Sequence, residues 1–163
     1  MRAATEGNFE IIRQARKQDI PDLVKLLKEL FSLEKDFKFN AEKQKKGLRL
    51  LFKKVPAAAC VLVAEHKGRC IGMVTAQAVV STAEGAKSAL IEDMVISKAY
   101  RGRGVGSRLL CALESWCKIK GIGRMQLLAD KDNSSALCFY KKMKWQSTGL
   151  VGYRKYNIIG VIR

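Results

Sequence analysis

No apolar run in this chain is long enough to cross a bilayer. The longest, Val55 to Ala64, contains Pro56 and falls well short of the roughly 20 residues that a spanning helix needs. The opening residues, Met1 to Asn8, carry no apolar core of the kind a secretory signal requires, so a cytoplasmic protein with no membrane partner is expected. Histidine is almost absent: the one copy, His66, falls at an expected hairpin turn, where a solvated ring is the simplest reading. Five cysteines, at 60, 70, 111, 117 and 138, form no Cys-x-x-Cys pair, and four of them stand among apolar residues. They read as reduced packing residues, and no metal site is expected.

Carboxylates are scarce as well. Fifteen Asp and Glu face 31 Lys and Arg, a net charge of +16 that biases association toward anything polyanionic. Nucleic acid, an acidic protein or simple solubility could each account for the excess. The basic helix expected from Asn40, with lysines 43, 45, 46, 53 and 54, has few aromatics for base stacking, so a solvated face is favoured over nucleic acid. A length of 163 residues with 48% hydrophobic composition fits one globular domain, residues 1–163, with one core. Linkers, repeats and low-complexity tracts are missing.

Two phosphate-binding loops are also missing. Gly-Lys-Ser/Thr of the P-loop occurs nowhere, and the dinucleotide fingerprint fails because Ser107 stands three residues after Gly104 and Leu109 three after Gly106. What is present runs from Ser88 to Gly121. Ala89, Leu90, Ile91, Met94, Val95 and Ile96 suit a buried strand; Lys98 to Gly106 is a glycine-rich turn; and Leu109, Leu113 and Trp116 give the following helix a dry face. Glycines at 102, 104 and 106 clear side chains just where a helix begins, so its first amides point outward and attract an anion. Arg101, Arg103 and Arg108 add charge and Ser107 a hydroxyl, which suits a pyrophosphate better than a carboxylate.

Arg101-x-x-Gly104-x-Gly106, after a strand carrying Glu92 and Asp93, resembles the acetyl-coenzyme A signature of the GNAT superfamily of N-acetyltransferases. Asp132 to Ala136 followed by Phe139-Tyr140-Lys141-Lys142 resembles the family's pantetheine and thiol segment, and Ile12 to Ala15 with Asp19 its first strand and helix start. Lys144 departs from the pattern, since a glycine is common there. The resemblance implies transfer of an acetyl group from acetyl-CoA to a primary amine by direct attack. It implies that Arg101, Gly102, Arg103, Gly104, Val105, Gly106 and Ser107 hold the cofactor phosphates. The backbone of Met94, Val95 and Ile96 would line the thioester and pantetheine, and Asn133 would contact that arm. Expected partners are therefore acetyl-CoA and a small or protein amine, with a homodimer allowed and nucleic acid not favoured. A non-catalytic CoA binder and a basic nucleic-acid-binding protein are the alternatives.

The remaining segments give the order of elements. Strands are expected at Phe9 to Ala15, Ala59 to Glu65, Arg69 to Val80, Arg124 to Ala129, Trp145 to Thr148 and Val151 to Tyr156. Helices are expected from Asp19, with an acidic cap and Pro21, from Asn40, and from Asn133 or Ser134 through Met143 with Ala136, Leu137, Phe139 and Tyr140 packed. The strand before the signature and the one after its helix run parallel because a helical crossover joins them. The fold class is therefore α/β (α+β): a mixed, mostly antiparallel, GNAT-like central sheet flanked by helices, with a parallel strand pair opening at the cofactor site.

An amine attacks only when neutral, so a base must take a proton, and the departing thiolate must be stabilised or protonated. Glu92 is the expected base, because burial in an apolar strand would raise its pKa. Tyr140 is the expected acid near sulfur, by resemblance. Strand alternation would place Asp93 on the opposite face from Glu92. The acceptor pocket is the least legible part: Glu29, Glu34, Asp36 and Glu42 would suit a polyamine, but Lys25, Lys28, Lys35 and Lys38 interleave with them.

Overall fold

The structure, a computed structural model, describes residues 10–34 and 36–156. The chain divides after Leu127 into two units.

In the first unit five strands follow one another across a single sheet in sequence order. They are β1 (Ile11–Gln14), β2 (Ala59–His66), β3 (Arg69–Ser81), β4 (Ala86–Ile96) and β5 (Arg124–Leu127). The first four pair antiparallel, and β4 pairs with β5 in parallel. Lys67 and Gly68 close the β2–β3 hairpin with positive φ of 48° and 74°, a two-residue turn whose backbone matches the strand twist. Phe9, the expected start of β1, lies outside the described residues.

Helices α1 (Ile20–Phe31) and α2 (Ala41–Lys54) cover one face of the sheet and α3 (Val105–Ile119) the other. Adjacent residues of β3 show this: Met73 joins the cluster of Leu23, Leu26, Leu27 and Leu48, whereas a Cβ on Gly72 would lie 3.3 Å from Leu109 of α3. Leu109, Leu110 and Leu113 are completely buried, each contributing roughly 1.5–3 kcal/mol of transfer free energy.

Asn40 caps α2 as a helix start should: its side chain accepts from the Lys43 amide, and Gln44 accepts from the Asn40 amide. Asp19 does not cap α1. Its carboxylate turns back to Arg13, at 2.7 and 2.9 Å, and to the Arg16 amide, so the guanidinium outcompetes the helix amides and holds the carboxyl below its usual range. Only Cys60 and Cys117 are buried, their thiols pushed up to about 12 and about 11 by desolvation; Cys111 and Cys138 are exposed and lie outside the core.

The second unit, described from 128 to 156, contains α4 (Ser134–Lys142). Lys144 takes φ 63°, while its amide bonds to Lys141 O and that of Trp145 to Tyr140 O. This is a Schellman ending with lysine at the position that favours glycine. The strands expected at Trp145 to Thr148 and Val151 to Tyr156 are not formed among the described residues. Leu150, Val151, Tyr153 and Tyr156 are all exposed, so no buried face fixes a register there. Leu137 is exposed too, whereas Ala136, Phe139 and Tyr140 are half-buried.

Candidate active site

The parallel pairing of β4 with β5 covers only Ser88 to Ile91. On that side Glu92 to Ile96 has no strand neighbour among the described residues, although its other edge remains paired with β3 through Ile96. An unpaired strand edge offers amides and carbonyls to whatever lies alongside it.

At the same point the register with β3 shifts. Ala76 pairs with Ile91 and Val74 with Met94, leaving Thr75 alone opposite Glu92 and Asp93 together. This β-bulge puts Glu92 and Asp93 at an irregular point of the ladder, and the two carboxylates meet different environments there. Glu92 is exposed rather than buried, because it stands where the β5 pairing has ended. Asp93 is the desolvated one. Thr75 Oγ1 donates to its Oδ2 at 3.0 Å, yet burial, aided by the charge of Glu92, pushes the carboxyl up to about 6. Thr75 was legible as a lone hydroxyl inside the apolar run Ile71 to Ala76, a signal the sequence reading passed over.

Beyond Ile96 the chain turns through Lys98–Tyr100 and enters α3. Gly102 and Gly104 have φ of 73° and 76°, the left-handed region that glycine enters without strain. A Cβ on Gly102 would meet nothing within 4 Å, and one on Gly104 only Arg108 Nη1 at 4.0 Å, so the backbone is open to approach. The first intrahelical bond of α3 runs from the Arg108 amide to Gly104 O, so the amides of Val105, Gly106 and Ser107 have no helical carbonyl to reach. Val105 is buried and pins this end of the helix.

The arginines mostly brace the turn. Arg101 Nε donates to Ile96 O at 2.8 Å and its Nη2 lies 3.8 Å from Glu29, tying the end of β4 to the loop. Arg108 pairs with Glu10 at 2.6 Å. Arg103 is exposed, its guanidinium carbon 5.3 Å from the Tyr100 ring centroid. Tyr100 in turn lies against His66, at 5.4 Å between ring centroids, so His66 supports the loop from the hairpin.

Glu29 of α1 does more. Its carboxylate accepts from Ser97 Oγ at 3.1 Å and from the Lys98 amide at 3.0 Å, which occupies it with the loop. Glu42 pairs with Lys45. Glu29 and Glu42, both considered for a polyamine pocket, are thereby engaged with their own chain.

Met94 to Ile96 and residues 101–107 thus meet in one place, a strand edge leading into a helix start. Asn133 and Tyr140 belong to the second unit. Asn133 Oδ1 accepts from the Ala136 amide at 3.0 Å and caps α4, and Tyr140 stands between Phe139 and Trp145, at 5.4 and 5.7 Å.

Known proteins agree with this architecture. An uncharacterized N-acetyltransferase of Methanocaldococcus jannaschii is 27% identical over 86% of this chain, which spans 62% of that relative's length. The thialysine N-epsilon-acetyltransferase of Bos taurus is 26% identical, with 83% of each chain covered. Among solved structures, an aminoglycoside N-acetyltransferase in complex with CoA shares the fold, with a TM-score of 0.79 and 19% identity over 94% of this chain and 99% of its own. The family model described as acetyltransferase (GNAT) family matches residues 22–145, and the chain belongs to that family.

Proposed function

We propose that the protein is an N-acetyltransferase that takes an acetyl group from acetyl-CoA and delivers it to a primary amine, with residues 1–163 working as one domain. The observation that carries this reading is the left-handed Gly102 and Gly104 turn, open on its outer side, joining an unpaired β4 edge to the first amides of α3. The family match crosses the boundary after Leu127, which supports a single working domain.

The residues present fit acetyl-CoA. The amides of Val105, Gly106 and Ser107 and the exposed Arg103 suit a pyrophosphate, and glycines at 102 and 104 leave room for it against the backbone. Arg101 positions this turn through Ile96 O and adds positive charge. The edge of Met94, Val95 and Ile96 suits the amides of a pantetheine arm, with Asn133 as a further contact. Bound there, acetyl-CoA supplies the acetyl thioester. Glu92, exposed on the bulge, takes the amine's proton directly or through water, and Tyr140 protonates the departing thiolate.

Thiol release across an amine panel tests the reading. The panel should include thialysine and aminoglycosides, the acceptors named for the bovine relative and the solved neighbour. Thiol release with at least one amine, together with a melting temperature raised by acetyl-CoA, is the expected result. A melt unmoved by saturating acetyl-CoA would sink it.

A further inference from the structure

Helical spacing sorts α2 into two faces. Leu48 is buried and Ala41, Leu51 and Phe52 pack on the core, while Lys43, Lys46, Arg49 and Lys53 are exposed around Leu50 and Gly47. Three features of the outer face have no use among the described residues. Among the described residues, no carboxylate lies within ion-pair distance of Lys43, Lys46 or Lys53. Leu50 is 52% exposed in the middle of these cations. Gly47 sits in the helix interior, where glycine costs roughly 1 kcal/mol relative to alanine, yet its φ is not positive and a Cβ there would meet nothing within 4 Å. Neither backbone conformation nor internal packing asks for glycine at this position. Gly47 and Leu50, three residues apart, share one face, so together they make a shallow step beside an apolar knob.

We propose that this face of α2 docks an acidic segment of another protein, one that alternates carboxylates with apolar side chains. The cations complement its charge, Leu50 enters its apolar row, and Gly47 lets its backbone come close. The net charge of +16 steers such a partner toward the face before contact. A phosphate backbone would use the lysines but neither Leu50 nor Gly47, and the one aromatic of α2, Phe52, packs on the core and cannot stack on bases. A membrane surface would gain one leucine and no more.

The probe is a fluorescein-labelled amphipathic peptide of glutamate and leucine, titrated with the full chain at physiological salt and read by anisotropy. Polyglutamate, single-stranded RNA of equal charge and phosphatidylserine vesicles serve as competitors. The peptide should bind more tightly than all three. Leu50→Ser and Gly47→Leu should each weaken it about tenfold, and the double variant Lys46→Glu/Lys53→Glu by more than that. Lys118→Glu/Lys120→Glu, an equal charge change on exposed residues of α3 and its cap, should alter it by less than about twofold. Gly47→Leu should also raise the melting temperature, which separates lost binding from lost folding. The proposal is overturned by absent peptide binding, by RNA or vesicles displacing the peptide, or by affinity that ignores Leu50 and Gly47.

Discussion

Thr75 and Asp93 hold each other twice across β3 and β4: the threonine hydroxyl donates to the carboxylate at 3.0 Å and accepts from the Asp93 amide at 3.1 Å. One side chain therefore fixes both the bulge and the acid within it. Because burial pushes this carboxyl up to about 6 from an ordinary 3.8, the folded protein above pH 6 carries a charge that the unfolded chain would hydrate. That cost is on the order of 3 kcal/mol and vanishes as the pH falls below about 4. Asp93→Asn should be more stable than the parent above pH 6 and equal to it near pH 4, measured by urea unfolding across that range. The comparison cancels Asp19, whose lowered pKa acts in the opposite direction and loses stability as pH falls. A constant difference at every pH would show that Asp93 is not desolvated.

Gly104 and Gly121 make a matched pair. Both have positive φ, 76° and 65°, and neither would seat a Cβ against a close neighbour, so alanine at either should cost about 1–2 kcal/mol of backbone strain. Only Gly104→Ala should lose the stabilisation by acetyl-CoA, about 2.7 kcal/mol at a hundredfold excess over Kd. Thermal melts of the two variants with and without acetyl-CoA make the comparison; equal retention of the shift would take Gly104 out of the binding turn.

Glu29→Gln keeps the shape of a carboxylate that grips Ser97 and the Lys98 amide but removes its charge. The acetyl-CoA Kd should rise about threefold to tenfold with kcat nearly unchanged, since charge-assisted bonds are the stronger ones. A fall in kcat at constant Kd would place Glu29 on the acceptor side instead.

Glu92→Gln should bind acetyl-CoA normally and lose roughly 10²-fold to 10⁴-fold in rate, recovering part of that as rising pH delivers more neutral amine. Tyr140→Phe should lower turnover with affinity intact. A pH–rate profile unchanged in height and shape for Glu92→Gln would make Asp93 the next residue to test.

Lys144→Gly should stabilise the Schellman end of α4, because lysine at φ 63° carries strain of about 1 kcal/mol that glycine does not. Hydrogen exchange at the Trp145 amide, bonded to Tyr140 O, reads it locally. Faster exchange in the variant would count against the strain.

The elements whose signal is local were legible in the sequence. The Asn40 and Asn133 caps, the β2–β3 hairpin and the glycine turn before α3 each follow from residues a few positions apart, and each is present. Relationships set by distant partners were not legible. Arg13 draws Asp19 away from α1, β5 stops pairing at Ile91, and one threonine from β3 faces both Glu92 and Asp93. The strands expected near the C terminus failed for a similar reason: strand propensity needs a pairing neighbour, and propensity alone does not supply one.

Glu29 and the Lys98 amide are 69 residues apart in the chain, yet they share a hydrogen bond. The glycine turn can form as a local bend early in folding, but its correct aim waits on closing that long loop and on α1 reaching its place against β3 and β4. Any opening that lifts α1 from the sheet breaks the bond of the Lys98 amide to Glu29 at the same time. Its exchange with deuterium should therefore report the docking of α1 rather than the motion of the turn itself.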